Sequence, residues 1–209
     1  MLSVCSLRLY RWQWRPFDYK ISPYKMNLFN QALFYALPVA LVGIIHHFLV
    51  IRHNWFAPLA RPIDLGRTFR GKRILGRSKT FRGLIIVSLG TGFFYLAFHY
   101  LFGVSSASGS LLTGMMVGFG YSVAEFPTSF VKRALGIGEG SVSISPRNIF
   151  FWADQTDSVI GSIIALRLMH NFGWNLAIII FLIGTLLHLT GDILLHSFGY
   201  KKLREENAK

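Results

Sequence analysis

Leu84-Ile85-Ile86-Val87-Ser88-Leu89-Gly90-Thr91-Gly92-Phe93-Phe94-Tyr95-Leu96-Ala97-Phe98-His99-Tyr100-Leu101-Phe102-Gly103 contains no Asp, Glu, Lys or Arg. At ~1.5 Å of rise per residue, about 20 helical residues cross the ~30 Å hydrocarbon core of a bilayer. Lipid offers backbone groups no hydrogen-bond partner, so such a run must be helical. Similar runs lie near 28–51, 109–131, 148–168 and 174–196 of the 209 residues, in a chain that is 52% hydrophobic with mean hydropathy +0.43. The expected fold is therefore an all-α integral membrane protein, a bundle of about five transmembrane helices. The third and fourth runs carry Glu125, Asp154 and Asp157 and must line a polar interior rather than face lipid.

Immediately before residue 84 stands a basic, glycine-bearing segment, Pro62-Ile63-Asp64-Leu65-Gly66-Arg67-Thr68-Phe69-Arg70-Gly71-Lys72-Arg73-Ile74-Leu75-Gly76-Arg77-Ser78-Lys79-Thr80-Phe81-Arg82-Gly83. Glycines let a backbone turn tightly and approach a ligand. Clustered Lys and Arg attract phosphate. Beside a membrane, this loop should meet anionic lipid headgroups or a polyphosphate.

The net charge of +13 is uneven: nine Lys and Arg fall between 52 and 83, three between 132 and 147, four after 200, and none in the turns 104–108 and 169–173. Positive loops remain in the cytoplasm, so five spans put the C-terminus inside and the N-terminus outside. This rule accounts for the charge without a nucleic-acid partner. Residues 1–27 hold five basic residues and the aromatics Tyr10, Trp12 and Trp14 yet should lie outside. They lack the core and cleavage site of a secretory signal and are read as a tail without function, Met26 being an alternative start. A single domain is expected over 28–200, followed by a charged cytoplasmic tail, 201–209. The one cysteine, Cys5, excludes an intrachain disulfide.

Three motifs carry chemistry. Glu125, Ser129, Lys132 and Arg133 are spaced to share one helical face, with Pro127 expected to kink the helix. Lys132 and Arg133 also fit ordinary snorkelling at a membrane edge, which does not explain Glu125. Asp154 and Asp157, three residues apart, face one way from adjacent turns. Two such anions repel unless a cation lies between them, and hard carboxylate oxygens beside phosphate hold Mg²⁺; capping of a helix N-terminus is the other reading. His188, Asp192 and His196 at i, i+4 and i+8 could bind zinc, but membrane histidines more commonly make an interhelical hydrogen bond. His46, His47 and His53 read as interfacial. Gly114, Gly118 and Gly120 permit close helix packing, and with it a homodimer.

Taken in order, these pieces resemble the CDP-archaeol synthase family, relatives of the phosphatidate cytidylyltransferases, over roughly residues 28–200. Pro62-Ile63-Asp64 through Lys79-Thr80-Phe81-Arg82-Gly83 is similar to the family's Pro-Ile-Asp…Lys-Thr-Trp-Arg-Gly. Ser129-Phe130-Val131-Lys132-Arg133-Ala134-Leu135-Gly136-Ile137 is similar to Ser-Phe-x-Lys-Arg-Arg-Leu-Gly-Ile, and Asp154-Gln155-Thr156-Asp157 to Asp-Gln-x-Asp. There are two departures. Ala124-Glu125 stands where the family has Gly-Asp, and the chain is longer between Ile137 and Asp154, through a stretch from Gly138 to Pro146.

The resemblance implies transfer of a cytidylyl group from CTP to a phosphatidate-like lipid phosphate, giving CDP-lipid and pyrophosphate, in a bundle with a cavity open to the cytoplasm. A phosphate nucleophile is already ionised near neutral pH, so catalysis rests on positioning and charge neutralisation. Glu125, Asp154 and Asp157 are then expected to hold Mg²⁺, and Lys132 and Arg133 the triphosphate. Lys72, Arg73, Lys79 and Arg82 would meet the lipid phosphate or departing pyrophosphate, within a substrate-binding set that includes Asp64, Thr80, Gly83, Ser129 and Gln155. The competing expectation is a non-catalytic membrane protein that binds anionic lipid, for which paired acids have no use. A lipid phosphatase or CDP-alcohol phosphotransferase lacks its multi-Asp or His signature here.

Overall fold

The computed structural model describes residues 26–102, 107–139 and 149–198. Residues 1–25 of the basic tail, most of the turn at 104–108, the 140–146 part of the longer stretch, the C-terminal tail and the side chain of His196 lie outside the described residues. Five helices dominate: α1 (Leu28–Ile45), α2 (Phe81–Phe102), α3 (Ala107–Ala134), α4 (Ile149–Met169) and α5 (Trp174–Ser197). α1 opens on an Asn27 cap, whose side chain accepts from the Asn30 N–H, and runs into a wider π-helical turn over His46–Ile51. Three stretches, Leu28–Ile51, Phe81–Phe102 and Trp174–Leu195, are long and apolar enough to cross a membrane. The chain is an all-α integral membrane protein.

α2 packs on α3, α3 on α4, and α5 on α1 and α4. Glycines set the closeness of the first two contacts. A Cβ on Gly118 would lie 2.5 Å from the Val87 carbonyl oxygen of α2, and one on Gly120 2.5 Å from the Gly161 oxygen of α4. Gly114 is likewise pressed on α2, at 2.6 Å from the Thr91 oxygen. These glycines are consumed by packing within the chain, so the homodimer surface read from them is already covered. α3 continues as one α-helix through Pro127, which has no N–H to donate one turn back.

The elements alternate in direction, which sorts the chain into two ends. At one end, an aromatic core gathers Phe34, Tyr35 and Tyr95 with Leu166 and Ile180, and the Tyr95 hydroxyl donates to the Tyr35 carbonyl at 2.9 Å. Thr113 and buried His170 pair there at 3.0 Å. At the other end lie the start of α2, the end of α3, the start of α4 and the end of α5, and with them every acidic motif singled out above.

The 62–80 loop is ordered at that end. Pro62 and Thr80 form an antiparallel bridge that closes it, with Ile63 N–H donating to Lys79 O at 2.8 Å and Phe81 N–H to Arg61 O at 3.1 Å. Inside the closure is a small hairpin, β1 (Thr68–Phe69) against β2 (Lys72–Arg73). Its two-residue turn has Arg70 at φ 51° and Gly71 at φ 75°, the paired positive angles of a type I′ turn that matches strand twist.

Candidate active site

Asp64 organises the loop. Its Oδ1 accepts from Gly66 N–H at 3.0 Å and Arg73 Nη2 at 2.5 Å. Its Oδ2 accepts from Leu75 and Gly76 N–H at 3.2 and 3.1 Å. Burial raises the pKa of this carboxyl, but the Arg73 guanidinium and the backbone donors outweigh it and hold the group at about 2. Other residues from the expected substrate-binding set are also built into the scaffold. Lys72 Nζ donates to the Ala134 carbonyl at 3.4 Å, at the C-terminal end of α3 where cations are favoured. Arg82 Nη1 donates to Asn54 Oδ1 at 2.8 Å and to the Trp55 carbonyl at 3.2 Å. Thr80 caps α2, its Oγ1 accepting from the Gly83 N–H at 3.2 Å. The local contacts of Asp64, Lys72, Arg73, Arg82, Thr80 and Gly83 are thus with the protein, although Arg82 Nε is buried without an acceptor among the described residues.

Lys79 reaches inward. Its backbone is fixed by the loop closure, and its ammonium pairs with Glu125 Oε2, 46 residues away on α3. The other Glu125 oxygen accepts from Ser158 Oγ of α4 at 2.8 Å. Two turns further along α3, buried Lys132 donates to both Asp154 oxygens, at 2.6 and 2.8 Å. Asp157 accepts from the Ser158 N–H at 2.6 Å and from the Thr128 side chain. It has no ion-pair partner among the described residues. Arg133 Nε is buried without a hydrogen-bond acceptor among them.

Lysine-neutralised acids and an unsatisfied guanidinium donor thus converge from loop, α3 and α4. Asp154 and Asp157 lie beyond the first turn of α4, which begins at Ile149, so they do not cap it. Among the described residues no three carboxylate, imidazole or thiolate groups cluster closely enough to form a metal cage. Glu125, Asp154 and Asp157 are distributed along the α3–α4 seam rather than gathered into one three-ligand set. Ser129 is buried beside them. Gln155, also buried, points to α5: its amide donates to Asp192 Oδ2 at 2.9 Å and its oxygen lies 2.9 Å from His188 Nδ1. The His188–Asp192 pair therefore serves an interhelical network.

Sequence reasoning missed Ser158 and Thr128. Both stand next to or one turn from a named acid, Ser158 following Asp157 and Thr128 three residues after Glu125, and that helical spacing could have found them.

The family model for CarS-like CDP-archaeol synthases matches residues 26–204. The chain belongs to the CDP-archaeol synthase family. The CDP-archaeol synthase of Methanocaldococcus jannaschii is 30% identical over 152 residues, covering 67% of this chain and 81% of that protein. That of Methanospirillum hungatei is 30% identical over 166 residues, covering 72% and 95%. Among solved structures, an intramembrane enzyme for archaeal membrane lipid biosynthesis superposes with a TM-score of 0.58 at 24% identity, over 80% of this chain and 95% of its own. That likeness concerns the fold. The family match over residues 26–204 takes in all three motifs.

Proposed function

We propose that this family member transfers a cytidylyl group from CTP to a lipid phosphate, and that the acceptor is an archaeol-type ether lipid rather than phosphatidate. The ether assignment follows the names of the relatives, whose product is CDP-archaeol. An oxygen of the lipid phosphate forms a bond to the α-phosphorus of CTP as the α–β bridging bond breaks, and pyrophosphate leaves with that electron pair. The observation that carries this reading is the meeting of Lys79, Lys132 and Arg133 with Glu125, Asp154 and Asp157 at one end of an apolar bundle. Lipid-binding alone gives no reason to keep three acids there, since intramembrane carboxylates are costly.

The donor set fits Mg²⁺. Its hard oxygens suit that ion, which is ordinarily held by one or two carboxylates together with waters and substrate phosphates rather than by a protein cage. Asp157, without an ion-pair partner among the described residues, would hold it with Glu125 or Asp154. Bound there, Mg²⁺ would neutralise triphosphate charge. Arg133 Nε offers a buried donor to a phosphate oxygen, and Lys79 and Lys132, released from their acids, supply two more cations. The site is read as opening to the cytoplasm, where CTP is found.

Purified protein in micelles, given each of the four labelled nucleoside triphosphates with Mg²⁺ and either dialkylglycerol phosphate or phosphatidate, tests this. Label should enter lipid only from CTP, and faster with the ether lipid. Transfer to neither lipid would leave the non-catalytic lipid binder as the better reading.

A further inference from the structure

Next to the acid cluster, α1, α3, α4 and α5 enclose a largely apolar cavity. Tyr121, His188 and Asp192 line it on the side nearest the cluster. The hydrogen bonds there fix more than the helix contact. An ionised Asp192 can only accept, so the Gln155 atom facing it at 2.9 Å is the amide nitrogen. The Gln155 oxygen therefore faces His188, and His188 must carry a proton on Nδ1 to donate across 2.9 Å. The Tyr121 ring, 6.0 Å from the imidazole centroid, flanks it from α3. Glu125 lies near enough for the two side chains to interact electrostatically. His188 Nε2 has no hydrogen-bond partner among the described residues, although the side chain lines the cavity. An oriented ring with one satisfied and one unused nitrogen, at the border between apolar space and a phosphate-handling cluster, is arranged for a ligand that is apolar at one end and anionic at the other.

We infer that His188 binds the acceptor lipid as an imidazolium, Nδ1–H donating to Gln155 and Nε2–H donating to an oxygen of the lipid phosphate, with Gln155 and Asp192 acting as positioning residues that set the ring. The chemical class of the ligand rests on the function proposed above; the placement of His188 rests on the network alone. A purely structural bridge between α4 and α5 would use Nδ1 and have no need of Nε2.

Two substitutions separate these roles. His188→Asn keeps an amide donor where Nδ1 was and removes the group at Nε2. His188→Gln reaches the Nε2 position and gives up the contact with Gln155. The full-length protein in dodecyl maltoside micelles is titrated with radiolabelled dialkylglycerol phosphate without CTP, so binding is read independently of turnover. Melting temperature is recorded for each variant. The expected result is at least a tenfold rise in Kd for His188→Asn with an unchanged melting temperature, and a Kd within about threefold of wild type for His188→Gln. In turnover, KM for the lipid rises in His188→Asn while KM for CTP holds. Wild-type binding by His188→Asn, or equal losses in both variants, overturns the assignment. A wild-type protein that binds the lipid but transfers nothing from CTP overturns the proposed reaction and leaves His188 as a lipid contact.

Discussion

The three acids of the site are placed in different electrostatic company, and substitution should tell them apart. Asp154 has both oxygens on Lys132, whose side chain is 8% exposed. Asp154→Asn therefore strands a buried ammonium and should cost about 1–3 kcal/mol of stability along with activity. Asp157 carries a negative charge close to Glu125 with no cation bound to it among the described residues, so Asp157→Asn removes repulsion. Its melting temperature without Mg²⁺ should hold or rise while turnover falls by orders of magnitude. Thermal unfolding and turnover, measured together on both variants, check this; an active but destabilised Asp157→Asn protein would make that carboxylate structural. Spacing along one helix shows that both aspartates face the same seam. It cannot show that Lys132 takes one and leaves the other, because that pairing is decided by the placement of α3 against α4.

Among the elements, the 62–80 loop is the one whose order depends most on a single side chain. Asp64 is 1% exposed at its side chain and receives N–H donors on both oxygens. An amide in its place must turn an NH₂ toward at least one donor, so Asp64→Asn should cost about 1–3 kcal/mol and open the loop to protease between 62 and 80. The pH dependence has a definite sign. Because the folded pKa is lowered from 3.8 to about 2, the contribution of Asp64 is fully present above pH 3.8 and is lost as pH falls from there toward 2. Acid unfolding of the wild type should show this loss and Asp64→Asn should not. The charge and glycines of the loop were legible in the sequence, and the hairpin was not. Two-residue strands give no alternation to read, and Arg70 occupies a turn position where Asn, Asp or Gly is the usual signal. The same density of cations hid a division of labour. Lys72, Arg73 and Arg82 hold the loop and its neighbours together, whereas Lys79 reaches the acids. Nothing in the spacing distinguishes them, since the distinction depends on the direction each leaves a folded loop.

At the scale of the molecule, apolar length was sufficient to find all five helices, three of which are long and apolar enough to cross a membrane. What length could not supply is which faces meet. Glycine supplies part of it: Gly118 turned to α2 and Gly120 to α4 allow α3 to sit between two partners at backbone contact. Which loops share an end follows from how they are gathered. Lys72 on the carbonyl of Ala134, and the close approach of Glu139 to Gly76, hold the 62–80 loop and the segment after α3 together at one end. The turn between α4 and α5, which bears no Lys or Arg, belongs to the other. With nine basic residues in 52–83, the cationic end should face the cytoplasm. That orientation would also give CTP direct entry to Lys79, Lys132 and Arg133. In a Cys5→Ser background, Arg67→Cys should resist a membrane-impermeant thiol reagent in intact cells and react once the cells are opened. Ser108→Cys, exposed at the start of α3 and across the length of α2 from the 62–80 loop, should react from outside. Labelling of both from the same side would break the link between charge and orientation and move the nucleotide site to the wrong compartment.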